Sequence, residues 1–225
     1  MTLFDSLPSG NGYKVRLLLA QLDRHYVWVE LDIEHGESRR PPFLAKNPNG
    51  RIPTLQLENG ICIAESNAIL WYLAEDSELL PRSRISRAQV LQWMFFEQYS
   101  HEPYVATSRY ILKHLPAQSP RRAELPYRQQ LGRAALGVME THLSDRQFFV
   151  SNNYSIADIA LFAYTHVAHE AEFDLAPFPS VCAWLTRVAS LPRHIPMTLR
   201  PCVLKPPTGE PPMQSESARA RGVQN

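Results

Sequence analysis

The sequence lacks the features that mark disulfide-rich, zinc-binding, membrane-spanning and secreted proteins. Only three of its 225 residues are cysteine, and they are scattered, which is too few for a disulfide framework or a zinc site. No apolar run approaches the roughly 18 residues of a membrane span. The N-terminal segment also lacks the basic and apolar regions of a secretory signal. We therefore expect a protein of the reducing cytoplasm, with no membrane span, no structural disulfide and no metal centre.

Charge of one sign is missing as well. The 23 Lys and Arg residues nearly balance the 22 Asp and Glu residues, which leaves a formal net charge of +1. Proteins that bind nucleic acid or an anionic membrane surface usually carry a basic excess, so neither is expected as a partner. The remaining composition, 44% hydrophobic and 20% charged, is typical of a globular protein. The length allows one large domain or two small ones.

Residues 1–75 alternate between strand and helix signals. A strand is predicted at Thr2–Phe4, and an amphipathic helix from Tyr13 onward places Lys14 and Arg16 away from its apolar side. Three more strands and a second helix are predicted at Tyr26–Leu31, Thr54–Leu57, Ile61–Ile63 and Glu65–Leu73. The order β-α-β-β-β-α, with a charged loop after the second strand, indicates an α/β domain with a mixed sheet.

Strand signals vanish after a polar connector at residues 76–84. Residues 85–197 have the periodicity of an all-helical domain, with helices predicted at Ser86–Tyr99, Tyr104–Leu115, Leu125–Leu143, Ser155–Ala168 and Pro179–Leu191. Ser155 and Asp158 match a capping box, in which each side chain binds a free backbone N–H of the other's turn. Residues 198–225 are rich in proline and polar residues and lack periodicity, so we predict a disordered or extended tail.

Two segments of the first domain offer groups that suit an anion. Ser9 and Asn11 lie at a strand-to-helix turn, where free N–H groups and the positive end of the helix favour an anion such as a thiolate. Glu65 and Ser66 begin the next helix, where a carboxylate beside a helix N-terminus fits the ammonium and carboxylate of an amino-acid head group. Each segment also has a structural explanation as a helix cap with a polar first turn.

A third segment contains Pro53 at the start of a strand. If the bond between Ile52 and Pro53 were cis, the main chain of Ile52 could turn outward and pair with a peptide-like ligand, as an added strand does. The residues alone favour a trans proline, because only about 5–6% of such bonds are cis in folded proteins.

In this order and spacing, ahead of an all-helical domain, the three segments resemble the soluble glutathione transferase family, and its bacterial-type serine members in particular. The motifs are SGNGYKVRLLLA at residues 9–20, NPNGRIPTL at 47–55, AESNAILWYL at 64–73 and SIADIAL at 155–161. The resemblance covers residues 1–197. It implies a thioredoxin-like first domain that binds glutathione and an all-helical second domain that binds the other substrate.

The resemblance assigns the middle of glutathione to two of the segments. Ser9 would donate a hydrogen bond to the glutathione sulfur, which favours the thiolate because a donor stabilises the charged form. Asn11 is its rival or helper. The resemblance also implies a cis bond before Pro53, so that Ile52 holds the cysteinyl part of glutathione through its main chain. Because position 9 is not a cysteine, a mixed disulfide between protein and glutathione is not expected.

The two ends of glutathione are assigned in the same way. Glu65 and Ser66 would bind the γ-glutamyl end. Basic candidates for the glycyl carboxylate are Arg39, Arg51, Arg40 and Lys46. Gly50 stands where some related classes have a histidine, which removes one expected contact. The pocket for the second substrate would lie between the domains, and its candidate lining residues are Tyr104, Thr107, Ser108 and Tyr110, with His101 and Glu102 as further polar groups.

The leading interpretation is a glutathione transferase that uses glutathione as co-substrate, without a metal, to detoxify small hydrophobic electrophiles. Two alternatives stay open. One is a glutathione-dependent disulfide or peroxide reductase on the same frame, and the other is a non-catalytic, dimeric regulatory module. The resemblance also implies a homodimer.

Overall fold

The computed structural model describes residues 1–201, and the first part of the chain forms the α/β unit that the sequence predicts. Its strands are β1 (Thr2–Asp5), β2 (Val27–Glu30), β3 (Thr54–Gln56) and β4 (Cys62–Ala64), and its helices are α1 (Gly10–Gln21), α2 (Pro41–Leu44) and α3 (Ser66–Ala74), with a 3₁₀ turn at Glu37–Arg39. The α1 helix therefore begins three residues earlier than predicted, directly after the Ser9 cap.

The four strands form one mixed sheet in the order β2-β1-β3-β4. The pair β1–β2 is parallel, and α1 makes the crossover between them, whereas β1–β3 and β3–β4 are antiparallel. Leu3 lies at the centre of the sheet, opposite Trp28 on one side and Leu55 on the other, and all three are buried. The carboxyl end of β1 leads straight into the Ser9 turn, so the sheet core positions the first candidate segment.

The rest of the described chain is helical, as predicted. Its helices are α4 (Arg84–Phe96), α5 (Glu102–His114), α6 (Leu125–Leu143), α7 (Ile156–Thr165) and α8 (Pro179–Ala189). The thioredoxin-like plus all-helical class is thereby confirmed. No helix within residues 1–201 combines the length and apolar character needed to cross a membrane.

The α4 and α5 helices are not separated as predicted but are joined by a π-helical turn at Glu97–His101. Its wider hydrogen bond runs from the N–H of Glu102 to the carbonyl of Glu97. Pro103 follows in the first turn of α5, where its missing N–H is tolerated. The π turn carries Glu97 and His101 to buried positions between the two halves of the molecule.

The α7 helix is the centre of the helical part, and every one of its residues is buried. The predicted capping box of Ser155 and Asp158 is present. Asp158 Oδ1 also accepts from the N–H of Phe149 at 3.2 Å and from Trp184 Nε1 at 3.0 Å. Burial raises the pKa of Asp158 to about 6 despite these donors. The α7 helix packs against α1 and so joins the helical part to the sheet.

The prediction of an amphipathic α1, with Lys14 and Arg16 outside its buried side, is wrong. Both side chains are fully buried. Lys14 lies against Glu97 and Ser66, and Arg16 lies against Asp5 and the carbonyls of Leu7 and Met197. Each cation is neutralised by a buried carboxylate: Lys14 by Glu97 at 2.8 Å and Arg16 by Asp5 at 2.9 Å.

The predicted tail is only partly described. Within it, the carbonyl of Leu199 accepts from Arg16 Nη1 at 3.4 Å, and Arg200 pairs with Glu30. Residues 202–225 lie outside the described part of the chain.

Candidate active site

A cleft of about 730 Å³ opens between the first domain and α5. The structure brings eleven of the residues predicted from sequence to its walls: Ser9, Asn11, Arg39, Arg51, Ile52, Pro53, Glu65, Ser66, Glu102, Thr107 and Tyr110. The three separate segments of the first domain therefore meet at one place.

Tyr104 and Ser108 do not line the cleft, and for them the prediction is wrong. An α-helix turns by about 100° per residue, so the residues of α5 that share the cleft wall fall on one side: Glu102, Ala106, Thr107, Arg109, Tyr110 and His114. Tyr104 and Ser108 project from the opposite side. Ser108 is completely buried, and its hydroxyl has no hydrogen-bond partner within residues 1–201.

Ser9 caps a helix and at the same time has a hydroxyl proton that can be donated into the cleft. It is the N-cap of α1, and its Oγ accepts from the N–H of Gly12 at 3.1 Å. Capping uses a lone pair of the hydroxyl and leaves its proton free to donate to a group in the cleft. The turn is held from outside, because Arg109 Nη1 of α5 donates to the carbonyl of Pro8 at 3.0 Å.

The bond between Ile52 and Pro53 is cis, as the resemblance implies. No hydrogen bond within residues 1–201 engages the main chain of Ile52, so its N–H and C=O are free to pair with a ligand in the cleft. The loop before it is held by the buried Asn47, whose Nδ2 donates to the carbonyl of Arg51 at 2.7 Å and to Thr54 Oγ1 at 3.2 Å.

Of the four basic candidates for the glycyl carboxylate, two line the cleft and two do not. Arg39 and Arg51 line the cleft. Arg40 instead faces Glu37 at 3.7 Å, and Lys46 donates to Gln56 Oε1 at 3.1 Å.

The backbone explains why a glycine occupies position 50. Gly50 has a φ of +61°, and a Cβ there would lie 2.8 Å from the carbonyl oxygen of Ser38 and 2.8 Å from Arg39 Nη1. The Arg39 guanidinium, which donates to the carbonyl of Asn49 at 2.8 Å, thus fills the space beside this position.

Glu65 and Ser66 occupy the junction between β4 and α3. Glu65 is exposed and has a φ of +67°, a left-handed backbone conformation that costs a non-glycine residue about 1–3 kcal/mol and that recurs at functional sites. The first backbone hydrogen bond of α3 runs from Ile69 to the carbonyl of Glu65, so the N–H groups of the first helical turn are free. Acceptor and donors thus lie side by side, as an amino-acid head group requires.

Asn11 connects the first domain to α5 across the cleft. Its Oδ1 accepts from Ser66 Oγ at 3.2 Å, and its Nδ2 donates to Glu102 Oε1 at 3.2 Å. Its backbone N–H donates to the hydroxyl of Tyr164 at 3.3 Å. Burial raises the pKa of Tyr164, which keeps that hydroxyl protonated at neutral pH.

Sequence reasoning missed the buried residues behind this wall, Lys14 and Glu97, and it did not consider Gln98 or Arg109. The available signal was the position of Lys14 within the apolar run of the first motif and of Glu97 directly after Trp93–Phe96. A charge placed inside an apolar helix face is seldom left unpaired.

The wall of the cleft formed by α5 and the π turn is more polar than expected. Most of the side chains that α5 and the π turn bring to it are polar or charged: Gln98, Glu102, Thr107, Arg109, Tyr110 and His114. At the outer end, His114 Nδ1 lies 2.7 Å from Glu34 Oε1, which links α5 to the loop after β2. An apolar pocket for a hydrophobic electrophile is not what these residues build. Within residues 1–201, no group of three His, Cys, Asp or Glu side chains could hold a metal ion.

Two family models match the chain: the glutathione S-transferase N-terminal domain at residues 1–75 and the glutathione S-transferase C-terminal domain at residues 93–192. The chain belongs to the glutathione S-transferase family. The match covers both the sheet with its cleft loops and the helices that form the opposite wall.

Individual relatives add detail. The fold is similar to a glutathione S-transferase structure from Pseudomonas fluorescens, with a TM-score of 0.84, 51% identity, and coverage of 87% of this chain and 98% of the other. The structure of Ure2p in complex with glutathione matches with a TM-score of 0.78 at 26% identity, over 85% and 95% of the two chains. Among curated proteins, the disulfide-bond oxidoreductase YfcG of Escherichia coli is 32% identical, over 82% of this chain and 88% of that protein.

Proposed function

We propose that this family member binds glutathione in the cleft described above and activates its thiol for attack on a second substrate. The observation that carries the proposal is the convergence of three sequence segments on one cleft. Ser9 with Asn11, the main chain of Ile52, and Glu65 with Ser66 are far apart in sequence but line the same cavity.

Each part of glutathione has a matching group. The Glu65 carboxylate suits the ammonium of the γ-glutamyl end, and the free N–H groups at the start of α3 suit its carboxylate. The main chain of Ile52 would pair with the cysteinyl residue. Arg39 and Arg51 are the basic residues of the cleft on the first-domain side and would meet the glycyl carboxylate.

The sulfur would then lie at the start of α1. Ser9 Oγ–H and Asn11 Nδ2–H are donors at that turn, and the helix end adds its positive dipole. Donors to the charged form lower the pKa of a thiol, and each unit of lowering corresponds to about 1.4 kcal/mol. The thiolate would attack an electrophilic carbon, so that a carbon–sulfur bond forms and the leaving group departs with its bonding electrons.

A second candidate reaction is favoured by the polar α5 wall: reduction of a disulfide. The glutathione thiolate would attack one sulfur of the disulfide, a new sulfur–sulfur bond would form, and the other sulfur would leave as a thiolate. A disulfide between peptide-like thiols is polar along its length and suits Gln98, Thr107 and Tyr110 better than an apolar electrophile does. The relative YfcG is named for this type of activity. A non-catalytic role has only a relative's name in its favour, that of the transcriptional regulator URE2 of Saccharomyces cerevisiae at 28% identity, and no feature of the cleft.

Calorimetric titration with reduced glutathione tests the binding site. Glu65→Ala should weaken binding by at least tenfold, because it removes the only acceptor proposed for the ammonium, and charged hydrogen bonds contribute about 1.5–3 kcal/mol. The matched control is Glu78→Ala, an exposed glutamate away from the cleft. Absence of saturable binding by the wild type at millimolar glutathione would refute the proposal.

Turnover of two substrates then separates the two reactions. Chlorodinitrobenzene reports transfer to carbon, and hydroxyethyl disulfide reports disulfide reduction. Ser9→Ala and Asn11→Ala, assayed on both, identify which side chain holds the thiolate in each reaction.

We also propose that the protein is a cytoplasmic homodimer. Exposed apolar side chains follow α4 at Leu91 and Phe95 and continue into the π turn at Tyr99; they are 38%, 68% and 83% exposed, and Tyr72 of α3 is 48% exposed. A second copy of the chain is the occupant that the resemblance implies for this face. Light scattering of the wild type and of Phe95→Glu checks it, with a monomeric wild type as the contradicting result.

A further inference from the structure

Two fully buried charges, Lys14 and Glu97, lie behind the wall of the cleft. Lys14 Nζ donates to Glu97 Oε1 at 2.8 Å, and neither side chain has exposed surface. Neither residue lines the cleft. Replacing a buried ion pair with apolar residues of similar size is often neutral or stabilising. Stability alone therefore does not account for this pair.

A chain of hydrogen bonds joins Lys14 to the cleft. Lys14 Nζ lies 3.4 Å from Ser66 Oγ, and Ser66 Oγ lies 3.2 Å from Asn11 Oδ1. Asn11 Nδ2 continues the chain to Glu102 Oε1 at 3.2 Å. The link crosses from α1 to α3, returns to α1, and ends on α5.

Gln98 closes this chain into a ring. Its Nε2 lies 2.9 Å from Glu102 Oε2 and 2.9 Å from Glu97 Oε2. The π turn makes the closure possible, because it brings Glu97 and Gln98 to the start of α5. Asn67 Nδ2 supports the buried end of the ring with a donation to Glu97 Oε2 at 3.1 Å.

Lys14 and Glu102, the charged residues at the two ends of this chain of hydrogen bonds, determine which group donates in each bond. An ammonium can only donate, so the Ser66 hydroxyl accepts from Lys14 and gives its single proton to Asn11. A carboxylate can only accept, so the Asn11 group that faces Glu102 is the NH₂ group. Both constraints lead to the same orientation of the Asn11 amide, with its oxygen toward Ser66 and its nitrogen toward the cleft.

This orientation matters because Asn11 Nδ2 carries a second N–H that no group within residues 1–201 accepts. An amide rotated by half a turn would instead present its oxygen, whose lone pairs repel a thiolate. Several charges face this point from the surrounding elements: Lys14 on α1, Glu65 before α3, Glu97 on the π turn, and Glu102 and Arg109 on α5. Of these, Lys14 alone both carries a positive charge and bonds to the Ser66–Asn11 link.

We propose that Lys14 is a positioning residue for the glutathione thiolate: acting through Ser66, it holds the Asn11 amide with its NH₂ group toward the sulfur. The inference rests on the proposed function, since the thiolate it serves is that of glutathione bound in this cleft. Lys14 never contacts the substrate, and Glu97 neutralises its charge in the folded protein.

The test compares Glu97→Gln with the double variant Lys14→Met/Glu97→Gln. Both lack the buried carboxylate, so they differ only at position 14. In Glu97→Gln the ammonium keeps Ser66 Oγ and the amide oxygen of the new glutamine as acceptors, and in neither variant is a carboxylate left unpaired at position 97. The measurement is the pKa of bound glutathione, followed by the ultraviolet absorbance of the thiolate at saturating glutathione across a pH series. We expect the thiol pKa to be about one unit higher in the double variant, a roughly tenfold loss of thiolate below both values.

A merely structural role for Lys14 would change melting temperature but not the thiol pKa. Equal thiol pKa values in the two variants, together with glutathione binding by the wild type, would overturn the role of Lys14 and leave the proposed function standing. Failure of the wild type to bind glutathione would overturn both. If the double variant does not fold, Ser66→Ala cuts the same link without removing a charge and should raise the thiol pKa in the same direction.

Discussion

The α1 helix carries two buried ion pairs that begin only two residues apart but serve different ends. Lys14 pairs with Glu97 and Arg16 with Asp5, at 2.8 and 2.9 Å, and none of the four side chains has exposed surface. Beyond its carboxylate, Lys14 bonds to the Ser66 side chain at the cleft.

Arg16, in contrast, bonds to the main chain. Its Nη2 donates to the carbonyl of Leu7 at 2.7 Å, and its Nη1 donates to the carbonyl of Met197 at 2.9 Å and to that of Leu199 at 3.4 Å. Arg16 thereby joins the turn after β1 to the C-terminal end of the described chain. The planar guanidinium, with five donors in a fork, suits this connection of several backbone segments, and the compact ammonium of Lys14 suits a single line of side chains.

Burial alone therefore does not indicate the role of a charged side chain. The partners of the hydrogen-bond donors that its salt bridge leaves over do indicate it. Donors that end on main-chain carbonyls indicate a structural role. Donors that end on side chains in a cleft indicate a role in the chemistry of that cleft.

The largest expected effect is the loss of Arg16. Arg16→Met leaves Asp5 buried without its cation, and breaking a buried pair in this way costs about 3–5 kcal/mol. Denaturant unfolding should show this loss, while glutathione bound to the folded variant keeps a thiol pKa close to that of the wild type.

The double variants sharpen the same comparison. Arg16→Met/Asp5→Asn still strands the carbonyls of Leu7 and Met197, and each unsatisfied buried group costs about 1–3 kcal/mol. Lys14→Met/Glu97→Gln strands no main-chain group and should be close to neutral in stability. Equal losses for the two double variants would contradict the distinction between a structural and a functional pair.

The next largest effect is expected from a substitution beside Asp5, the carboxylate of the structural pair Arg16–Asp5. A Cβ at Gly12 would lie 1.6 Å from Asp5 Oδ1, so Gly12→Ala must displace a carboxylate that Arg16 holds. We expect a loss of about 1–3 kcal/mol in unfolding free energy.

The control for this change is Gly137→Ala. Nothing lies within 4 Å of a Cβ at Gly137, which is inside α6. This substitution should raise the free energy of unfolding by roughly 0.5–1 kcal/mol, because alanine favours the helix. A Gly12→Ala variant as stable as the wild type would show that Asp5 can move, and that the structural pair is less rigid than its geometry suggests.

The effect that is smallest at neutral pH, and grows only in acid, concerns His101, which lies on the π turn with Glu97. Burial, and to a lesser extent the charge of Lys14, lowers the pKa of His101 to about 3. The unfolded chain binds this proton below about pH 6.5 and the folded protein does not, so stability is present above that pH and falls as the pH drops toward 3. The slope is about 1.4 kcal/mol per pH unit for one histidine.

His101→Gln should remove that slope. The comparison with the wild type cancels the opposing contributions of Asp5 and Asp158, whose pKa values burial raises to about 6. An unchanged pH dependence between about pH 4 and pH 6 would show that another group, such as His166, whose pKa burial lowers to about 4, dominates acid unfolding.

Much of the fold could be predicted because local signals agreed with it. The strands and helices of the first domain follow period and turn residues, and the capping box of Ser155 and Asp158 marks the start of α7 as predicted. The continuity of α4 and α5 could not be predicted, because Pro103 is a helix breaker in most contexts and the π turn that accommodates it has no sequence signature. The prediction of which α5 residues face the cleft was wrong at Tyr104 and Ser108 for a similar reason. Periodicity identifies the sides of a helix but not the neighbour that each side will contact.

The free main chain of Ile52 was expected only from the family resemblance, because the residues alone favour a trans bond before Pro53. Local sequence does specify the free N–H groups at the helix starts after Ser9 and at Ser66. These groups depend on short-range sterics and hydrogen bonding, so a few neighbouring residues suffice to set them. Only the tertiary structure decided that Lys14 and Arg16 are buried and which donors they satisfy. The reason is that a charge is buried only where a distant carboxylate offsets its desolvation, and the meeting of Lys14 with Glu97, 83 positions away, is a property of the packed molecule.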